Sequence, residues 1–242
     1  RNIQLKDGLG ETLMVEAGIN DPMAIFLTIT MVAIVDNELP LDIATFISFL
    51  PELGRQLGYG LVAGIIGGVL IAFFINRVRM PVSLFAPFAM ASALLLFNLT
   101  ALLGGSGFLA VFIAGALLRD HMTHQTERVR QFHDGISWIS QIVLFLILGL
   151  LVTPKELIAQ IPLGLGIAAV LIFIARPIAT SLSLTPFRIG WRQQAFIGWV
   201  GLRGAVPIFL AIIPVISPGP LSSGFFDVVF VVVIVSLILQ GW

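Results

Sequence analysis

The sequence predicts an all-α polytopic membrane protein with about eight transmembrane helices. Of its 242 residues, 58% are hydrophobic and 11% are charged, whereas soluble domains average roughly 45–50% apolar and about 25% charged residues. The mean hydropathy is +1.05. Apolar segments of ~20 residues, the length that crosses a bilayer, recur along the whole chain. These observations argue against a soluble domain and place the chain in a lipid bilayer.

Charge and cysteine content exclude several classes of function. The net charge is zero, so the composition indicates no nucleic-acid partner. The chain contains no cysteine, which excludes disulfides, thiolate chemistry and zinc–thiolate sites. Its first residues are polar and mixed in charge, unlike a signal peptide. The absence of an initiator Met and the apolar run ending near Trp242 lead us to expect a piece of a longer protein.

Eight apolar segments account for most of the chain. They are predicted at residues 12–35, 55–75, 81–103, 107–118, 136–152, 157–184, 193–216 and 221–239. An interfacial turn is expected at 43–50, before the second segment. The fourth segment is short, broken or re-entrant unless residues 104–106 extend it. In the second segment, four glycines have the small-residue spacing that favours close helix packing: Gly60, Gly64, Gly67 and Gly68.

The distribution of basic residues predicts the orientation of these segments. If the segments alternate in direction, nine of the 13 Lys and Arg residues fall in loops on the starting side, two fall opposite and two lie within spans. Cytoplasmic loops carry the excess of positive charge. The sequence therefore predicts that residue 1 and the C-terminal end both face the cytoplasm.

The first segment carries polar residues that are costly in a bilayer. Insertion of one charged side chain at mid-span costs about 2.5–3.5 kcal/mol, yet Glu16 and Asp21 both occur here. Glu16 and Asn20 are four residues apart and share one helix face. Pro22 has no N–H, so the Gly18 carbonyl loses its helical donor and the helix bends. A carboxylate, an amide oxygen and a free carbonyl at one depth are typical ligands of hard cations.

A single deep cation in the seventh segment is the expected counter-charge. Arg203 keeps its charge in any protein environment, and the deep anions available to it are Glu16 and Asp21. We expect Arg203 to pair with Glu16, which then stays charged and acts as a brace. Asp21 would be left unpaired in apolar surroundings, where it could take up a proton or a cation in turn. The alternative is that all three charges form one structural network.

The seventh segment is also predicted to break near its centre. Pro207 lies four residues after Arg203 and removes the helical donor to its carbonyl. Gly204, between them, further weakens the helix. Secondary transporters build ion sites from broken helices of this kind.

The remaining polar residues are predicted to be structural. Arg176 lies toward the cytoplasmic end of its span and is expected to snorkel to the interface. Asp227 is interpreted as a charge at a helix start. A solvated loop at 119–134 is favoured over a pH sensor for the histidines that it contains: His121, His124 and His133. The sequence has no P-loop, dinucleotide loop or metal–His cluster, so we expect no cofactor and no metal beyond a transported ion.

Two motifs resemble those of one transporter family. Residues 16–22, Glu-Ala-Gly-Ile-Asn-Asp-Pro, resemble the Glu-Ser-x-x-Asn-Asp signature of cation/proton antiporters of the NhaP and NHE group. Residues 201–207, Gly-Leu-Arg-Gly-Ala-Val-Pro, are similar to that family's Gly-Leu-Arg-Gly-Ala signature. The sequence between them looks most like the bacterial potassium/proton, or cell-volume-regulation, branch.

The resemblance implies a fold and a set of roles. The family fold has thirteen helices, built as two inverted six-helix repeats and one extra helix. The eight segments would be the last eight, with residues 81–239 forming the complete second repeat. Asp21 and Asn20 match the family's ion- and proton-binding pair, and Glu16 and Arg203 match its bracing ion pair.

Two departures from the family pattern affect the expected site. Ala17 stands where many relatives have Ser, so coordination is expected to use more backbone oxygen or water. The unwound Thr-Asp helix that faces the site in relatives lies upstream of Arg1. The chain as given is therefore expected to be an incomplete transporter.

The function expected from these features is secondary antiport rather than catalysis. We expect exchange of K⁺, or next Na⁺, for H⁺ across the cell inner membrane, by a homodimer, in pH homeostasis and cell volume regulation. A passive cation channel, a non-transporting scaffold or receptor subunit, and an inactive fragment are the alternatives. An intramembrane aspartyl protease is disfavoured because it needs two deep aspartates, and only Asp21 is deep.

Overall fold

Ten α-helices make up most of the chain that the structure describes. The computed structural model describes residues 9–78, 81–121, 126–152, 154–187, 189–200, 206–216 and 223–240, and these ranges contain no strand. The helices are α1 (Leu9–Asp36), α2 (Ile43–Arg77), α3 (Phe85–Leu102), α4 (Gly107–His121), α5 (Thr126–Leu151), α6 (Pro154–Val170), α7 (Arg176–Leu184), α8 (Trp191–Val200), α9 (Val206–Ile216) and α10 (Ser223–Gln240). A π-helical turn, Leu171–Ala175, joins α6 to α7.

Several of these helices are long and apolar enough to cross a membrane. Among the described residues, four stretches meet that description by length and composition: Ile43–Arg77, Phe85–Leu102, Val129–Leu151 and Leu157–Phe187. Gly107–Arg119 and Gly224–Gln240 are shorter apolar helices. The chain is thus an all-α polytopic membrane protein, as its composition predicts. The number of eight spans stays a prediction.

Helix α2 is longer than the second predicted segment. It has 35 residues and includes residues 43–50, so the expectation of a separate interfacial turn there is wrong. At 1.5 Å per residue α2 is roughly 52 Å long, against about 30 Å for the hydrocarbon core. Asp42 precedes the first residue of the helix, and its side chain accepts a hydrogen bond of 2.7 Å from the Thr45 N–H. This bond lowers the pKa of the Asp42 carboxyl and caps the first turn.

The turn between α3 and α4 has a defined geometry. Gly104 has a φ of +78°, a left-handed conformation that glycine adopts without strain. The Gly105 N–H donates to the Thr100 carbonyl and the Gly104 N–H to the Ala101 carbonyl, both at 2.9 Å, which is a Schellman ending for α3. Ser106 then caps α4, since its hydroxyl accepts from the Leu109 N–H at 3.3 Å. Residues 104–106 therefore form a turn and do not lengthen the fourth segment.

Helix α5 begins before the fifth predicted segment. It starts at Thr126, within the region expected to be a solvated loop at 119–134. His133 and Asp134 are consequently helical, and the His133 Nδ1 lies 2.8 Å from the Val129 carbonyl one turn earlier. The expected loop is wrong for residues 126–134. Polarity alone does not indicate an irregular backbone, because a polar sequence can equally continue a helix beyond the membrane.

The chain packs as two units. Unit 1 comprises Arg1–Ala17, Leu27–Glu38 and Leu144–Trp242, and unit 2 comprises Gly18–Phe26 and Leu39–Val143. In unit 2 three glycines of α2 lie directly against α4 and the residue that caps it: Gly60, Gly64 and Gly68. A Cβ on Gly60 would lie 2.8 Å from the carbonyl oxygen of Ser106, which caps α4. One on Gly64 would lie 2.8 Å from the Ala110 carbonyl oxygen of α4, and one on Gly68 would lie 2.9 Å from a Cα atom of that helix. The backbones touch because no side chain separates them, as the glycine spacing predicts.

In unit 1, glycine also allows two pairs of helices to pack closely. A Cβ on Gly164 of α6 would lie 2.6 Å from the Val231 side chain of α10. A Cβ on Gly198 of α8 would lie 3.0 Å from the Thr180 hydroxyl of α7. Phe226 of α10 and Ala211 of α9 are buried together in a small apolar core. The described part of unit 1 is therefore held by close helix contacts, of which the one between α7 and α8 contributes to the candidate site.

Candidate functional site

The polar motif of the first predicted segment lies within one continuous helix. Helix α1 runs through Pro22, which is buried inside it. Because Pro22 has no N–H, the Gly18 carbonyl is without its usual helical donor. Gly18 is also required by packing, since a Cβ at this position would overlap the ring of Phe112 in α4. The sequence pattern indicated the free carbonyl but not this contact.

Glu16 forms an ion pair with an arginine that the sequence pattern had not assigned to it. The Arg176 Nη2 donates to Glu16 Oε1 at 2.9 Å, across 160 residues of sequence. The two side chains are only 26% and 28% exposed, respectively. The expectation that Arg176 snorkels to the interface is therefore wrong. Burial of a guanidinium is stabilised by a carboxylate partner and additional hydrogen bonds, and Arg176 has both.

The second bond of Arg176 reaches another helix. Its Nε donates to the Gly198 carbonyl of α8 at 3.2 Å. Arg176 follows the π-turn directly, and its own N–H donates to the Leu171 carbonyl five residues back. π-Turns inside helices are frequently found at functional sites. One guanidinium on α7 thus bonds to α1 and to α8 at the same time.

Thr180 completes the contact between α7 and α8. Its hydroxyl donates to the Arg176 carbonyl at 2.7 Å and lies 3.2 Å from the Pro177 carbonyl. The Thr180 side chain is buried and faces Gly198. Close approach of the two helices brings the Gly198 carbonyl within reach of Arg176.

Asp21 and Asn20 differ from Glu16 in their surroundings. Asp21 is half-buried and Asn20 is exposed. Within the described ranges, neither side chain has an ion pair or a hydrogen bond to another residue. Asp21 therefore keeps its carboxylate oxygens available, whereas one oxygen of Glu16 is occupied by Arg176. Glu16 and Asp21 thus differ in their contacts, and the roles that the sequence predicts for them stay predictions.

The expected partner of Glu16 lies outside the described residues. Arg203 and Gly204 belong to residues 201–205, between α8 and α9, so the Glu16–Arg203 pair stays a prediction. The Glu16 Oε2 atom is buried and has no hydrogen-bond partner in the part of the chain that the structure describes. Pro207 is the second residue of α9. Proline fits the first turn of a helix, where its missing N–H breaks no bond.

Two other polar positions can be compared with their expected roles. Asp227 was interpreted as a charge at a helix start, but it lies in the second turn of α10 and is 2% exposed. His124 lies outside the described residues, as do the residues on either side of it. Among described residues, no group of three or more His, Cys, Asp or Glu side chains could hold a metal ion.

The Glu16–Arg176 pair is the functional contact that sequence reasoning missed. The available signals were a basic residue well inside an apolar span and the proline that follows it. Neither signal identifies a partner 160 residues away. Helical periodicity also fails here, because a π-turn adds a residue to one turn and rotates everything after it by about 100°.

Comparison with known proteins assigns the chain to a family. The family model described as sodium/hydrogen exchanger, transmembrane, matches residues 1–242. The chain belongs to the sodium/hydrogen exchanger family. No solved structure matches this exchanger-family chain.

Relatives of this exchanger-family chain carry transporter names. It is 43% identical over all of its length to "K(+)/H(+) antiporter NhaP" of Alkalimonas amylolytica, covering 42% of that protein. It is 41% identical over 98% of its length to "K(+)/H(+) antiporter NhaP2" of Shewanella oneidensis, covering 41% of it. "Na(+)/H(+) antiporter ApNhaP" of Aphanothece halophytica is 29% identical over 97% of the chain, which covers 47% of that protein. The chain thus spans less than half the length of these relatives.

Proposed function

We propose that this chain is the ion-site portion of a monovalent cation/proton antiporter of the cell inner membrane. The observation that carries the proposal is the difference in contacts between two carboxylates of α1, Glu16 and Asp21. Glu16 is neutralised by Arg176 at 2.9 Å, while Asp21, five residues on, is half-buried and unpaired among the described residues. A buried carboxylate without a fixed counter-charge can exchange a proton for a cation.

The proposed mechanism is competition for one carboxylate. Asp21 binds either a proton or a cation, with Asn20 and the free Gly18 carbonyl supplying further oxygen ligands. Glu16 is held by Arg176 at 2.9 Å, so its role is to support the fold of the site. Alternating access to Asp21 from the two sides of the membrane then couples the two fluxes. The chain acts as a secondary transporter, not as an enzyme.

The identity of the cation is proposed from the relatives. The two at 43% and 41% identity are named K⁺/H⁺ antiporters, and the one at 29% is named a Na⁺/H⁺ antiporter. We therefore propose K⁺ as the preferred cation and Na⁺ as the next. A homodimer in the lipid bilayer, with the C-terminal end in the cytoplasm, completes the proposal. Such exchange would serve pH homeostasis and cell volume regulation.

Arg203 keeps its proposed place as a second brace. The Glu16 Oε2 atom is buried and unbonded among the described residues, so it can accept a hydrogen bond while Oε1 is held by Arg176. A carboxylate has two oxygens and can serve two guanidinium groups.

Removal of the titrating carboxylate tests the proposed function directly. Asp21→Asn in the intact protein is expected to abolish cation/proton exchange, because the amide can neither ionise nor bind a proton in competition with a cation. Exchange is measured in proteoliposomes with an internal pH dye, after addition of K⁺ or Na⁺. Asp36→Asn, which changes a carboxylate at the far end of α1, is the matched control and is expected to leave exchange unchanged.

The same assay separates the alternatives. Exchange at the unaltered rate by a well-expressed Asp21→Asn protein would overturn the proposal. Cation flux without movement of protons would indicate a channel instead. Absence of any flux in the unaltered protein would favour a scaffold or receptor subunit.

A further inference from the structure

Arg176 connects three helices through separate bonds. The residue belongs to α7, its Nη2 holds Glu16 of α1 and its Nε holds the Gly198 carbonyl of α8. Helix α8 ends at Val200, directly before the motif at residues 201–207. The bond to α8 is 3.2 Å long, at the upper limit of an N–H···O hydrogen bond. A small separation of α7 from α8 is therefore enough to break it.

Two small groups set the separation between α7 and α8. Gly198 is buried, and a Cβ there would lie 3.0 Å from the Thr180 hydroxyl. Such a contact is tighter than almost all real Cβ contacts, so an alanine at 198 must push the helices apart or displace Thr180. Thr180 is itself fixed, because its hydroxyl donates to the Arg176 carbonyl at 2.7 Å and its side chain is 8% exposed. The same residue thus supports Arg176 and touches α8.

We propose that Thr180 and Gly198 are positioning residues that keep Arg176 bonded to Glu16 and α8 together. The proposal rests on the proposed antiport function, since it gives these residues a role in turnover. The contacts of Thr180 and Gly198 are with each other and with Arg176, not with Asp21. Their role is therefore to keep the Glu16–Arg176 pair attached to α8. Loosening of this contact is expected to slow turnover and to leave cation binding unchanged.

A pair of substitutions with expected rescue tests this role. Gly198→Ala in the intact protein is expected to lower the maximal exchange rate by about fivefold to tenfold, the effect of losing one charge-assisted hydrogen bond, with an unchanged KM for the cation. Thr180→Ala removes the oxygen that the new Cβ would meet. The double variant is therefore expected to exchange faster than Gly198→Ala alone. Gly166→Ala is the matched control, because no atom lies within 4 Å of a Cβ at that position.

Each outcome of this experiment has a defined meaning. An unaltered rate in Gly198→Ala, or no rescue in the double variant, would overturn the positioning role while leaving antiport intact. An unaltered protein that exchanges no cation for protons would overturn the proposed function and this role with it. If Gly198→Ala fails to fold, Thr180→Val keeps the volume but loses the hydroxyl. A maximal rate lower by about twofold, the effect of losing one neutral hydrogen bond and a smaller loss than in Gly198→Ala, is expected for it at the same KM, and the unaltered rate would overturn the proposal.

Discussion

At the scale of single residues, the guanidinium of Arg176 explains why an arginine and not a lysine occupies this position. Its Nη2 and Nε atoms point to different partners, the Glu16 carboxylate and the Gly198 carbonyl. A lysine ammonium is a single point charge and cannot hold both in this fixed geometry. The side chain thus forms an ion pair with α1 and donates a directed hydrogen bond to α8.

Substitution of Arg176 is expected to lower transport in a graded way. Arg176→Gln leaves Glu16 without its counter-charge, and a lost hydrogen bond to a charged group costs about 1.5–3 kcal/mol. We expect at least a tenfold fall in the maximal exchange rate, while Arg176→Lys keeps the charge and is expected to retain more activity. Proteoliposome exchange and thermal unfolding of the purified variants measure the two effects.

A second arginine provides the control for charge. Arg192 lies 5.5 Å from the centre of the Trp191 ring and is exposed, so Arg192→Gln removes the same charge without disturbing an ion pair. It is expected to exchange at the unaltered rate. Equal exchange by Arg176→Gln and Arg192→Gln would contradict the role assigned to Arg176.

The residue scale also shows how far sequence reasoning reaches. The roles of Glu16 as a held acid and Asp21 as an available one are predicted from the cost of charge in a bilayer, and they stay predictions. The partner of Glu16 does not follow. Pairing of Glu16 with Arg176 depends on a contact across 160 residues and on the register after a π-turn, and neither leaves a periodic trace in the sequence.

At the scale of secondary-structure elements, glycine spacing has a direct structural outcome. Gly60, Gly64 and Gly68 recur every four residues on α2, and they meet the cap of α4 and two residues within it that also recur every four: Ser106, Ala110 and Ala114. Close packing of this kind was predictable because it needs only a small residue once per turn. The early start of α5 at Thr126 was not predictable from the sequence. Hydropathy indicates which side chains are buried, but it does not indicate the backbone conformation of a polar segment.

Addition of one methyl group to a glycine of α2 that contacts α4 is expected to destabilise the protein. In Gly64→Ala the new Cβ would lie 2.8 Å from the Ala110 carbonyl oxygen, and backbone cannot move as easily as a side chain. Overpacking of this kind costs about 1–3 kcal/mol. A lower unfolding temperature in detergent is expected for Gly64→Ala.

The same helix supplies the control for this substitution. No atom lies within 4 Å of a Cβ on Gly58, and alanine favours a helix over glycine by about 1 kcal/mol. Gly58→Ala should therefore unfold at the same temperature or a higher one. Unfolding of both variants at the unaltered temperature would show that α2 and α4 do not pack as described.

At the scale of the whole molecule, the distribution of basic residues predicts an orientation of the chain in the membrane, and single-cysteine labelling can measure it. The chain contains no cysteine, so a cysteine introduced into it is the only thiol that these 242 residues contribute. Asn37 and Lys155 are exposed residues on the side predicted to face away from the cytoplasm. Gly190 and Arg192 are exposed on the side predicted to face the cytoplasm.

Labelling of single cysteines tests this orientation. In intact cells, a membrane-impermeant maleimide is expected to label Asn37→Cys and Lys155→Cys, because the positive-inside rule places them outside. Gly190→Cys and Arg192→Cys are expected to react only after the membrane is opened. The reverse pattern would contradict the proposed topology, and a mixture on one side would contradict the alternation of the predicted spans.

The length of α2 has a consequence for the membranes in which the protein can work. The helix is roughly 52 Å long, and its first turns carry exposed apolar side chains such as Ile43 and Ile47, at 78% and 55% exposure. A helix that exceeds the hydrocarbon core responds to a thicker or thinner bilayer by changing its tilt, at a cost of fractions of a kcal/mol per Å of mismatch. Lipid tail length thus acts on the helix that is packed against α4 through glycines, where tilt is resisted by backbone contact. Acyl-chain length is therefore expected to affect how closely α2 packs against α4.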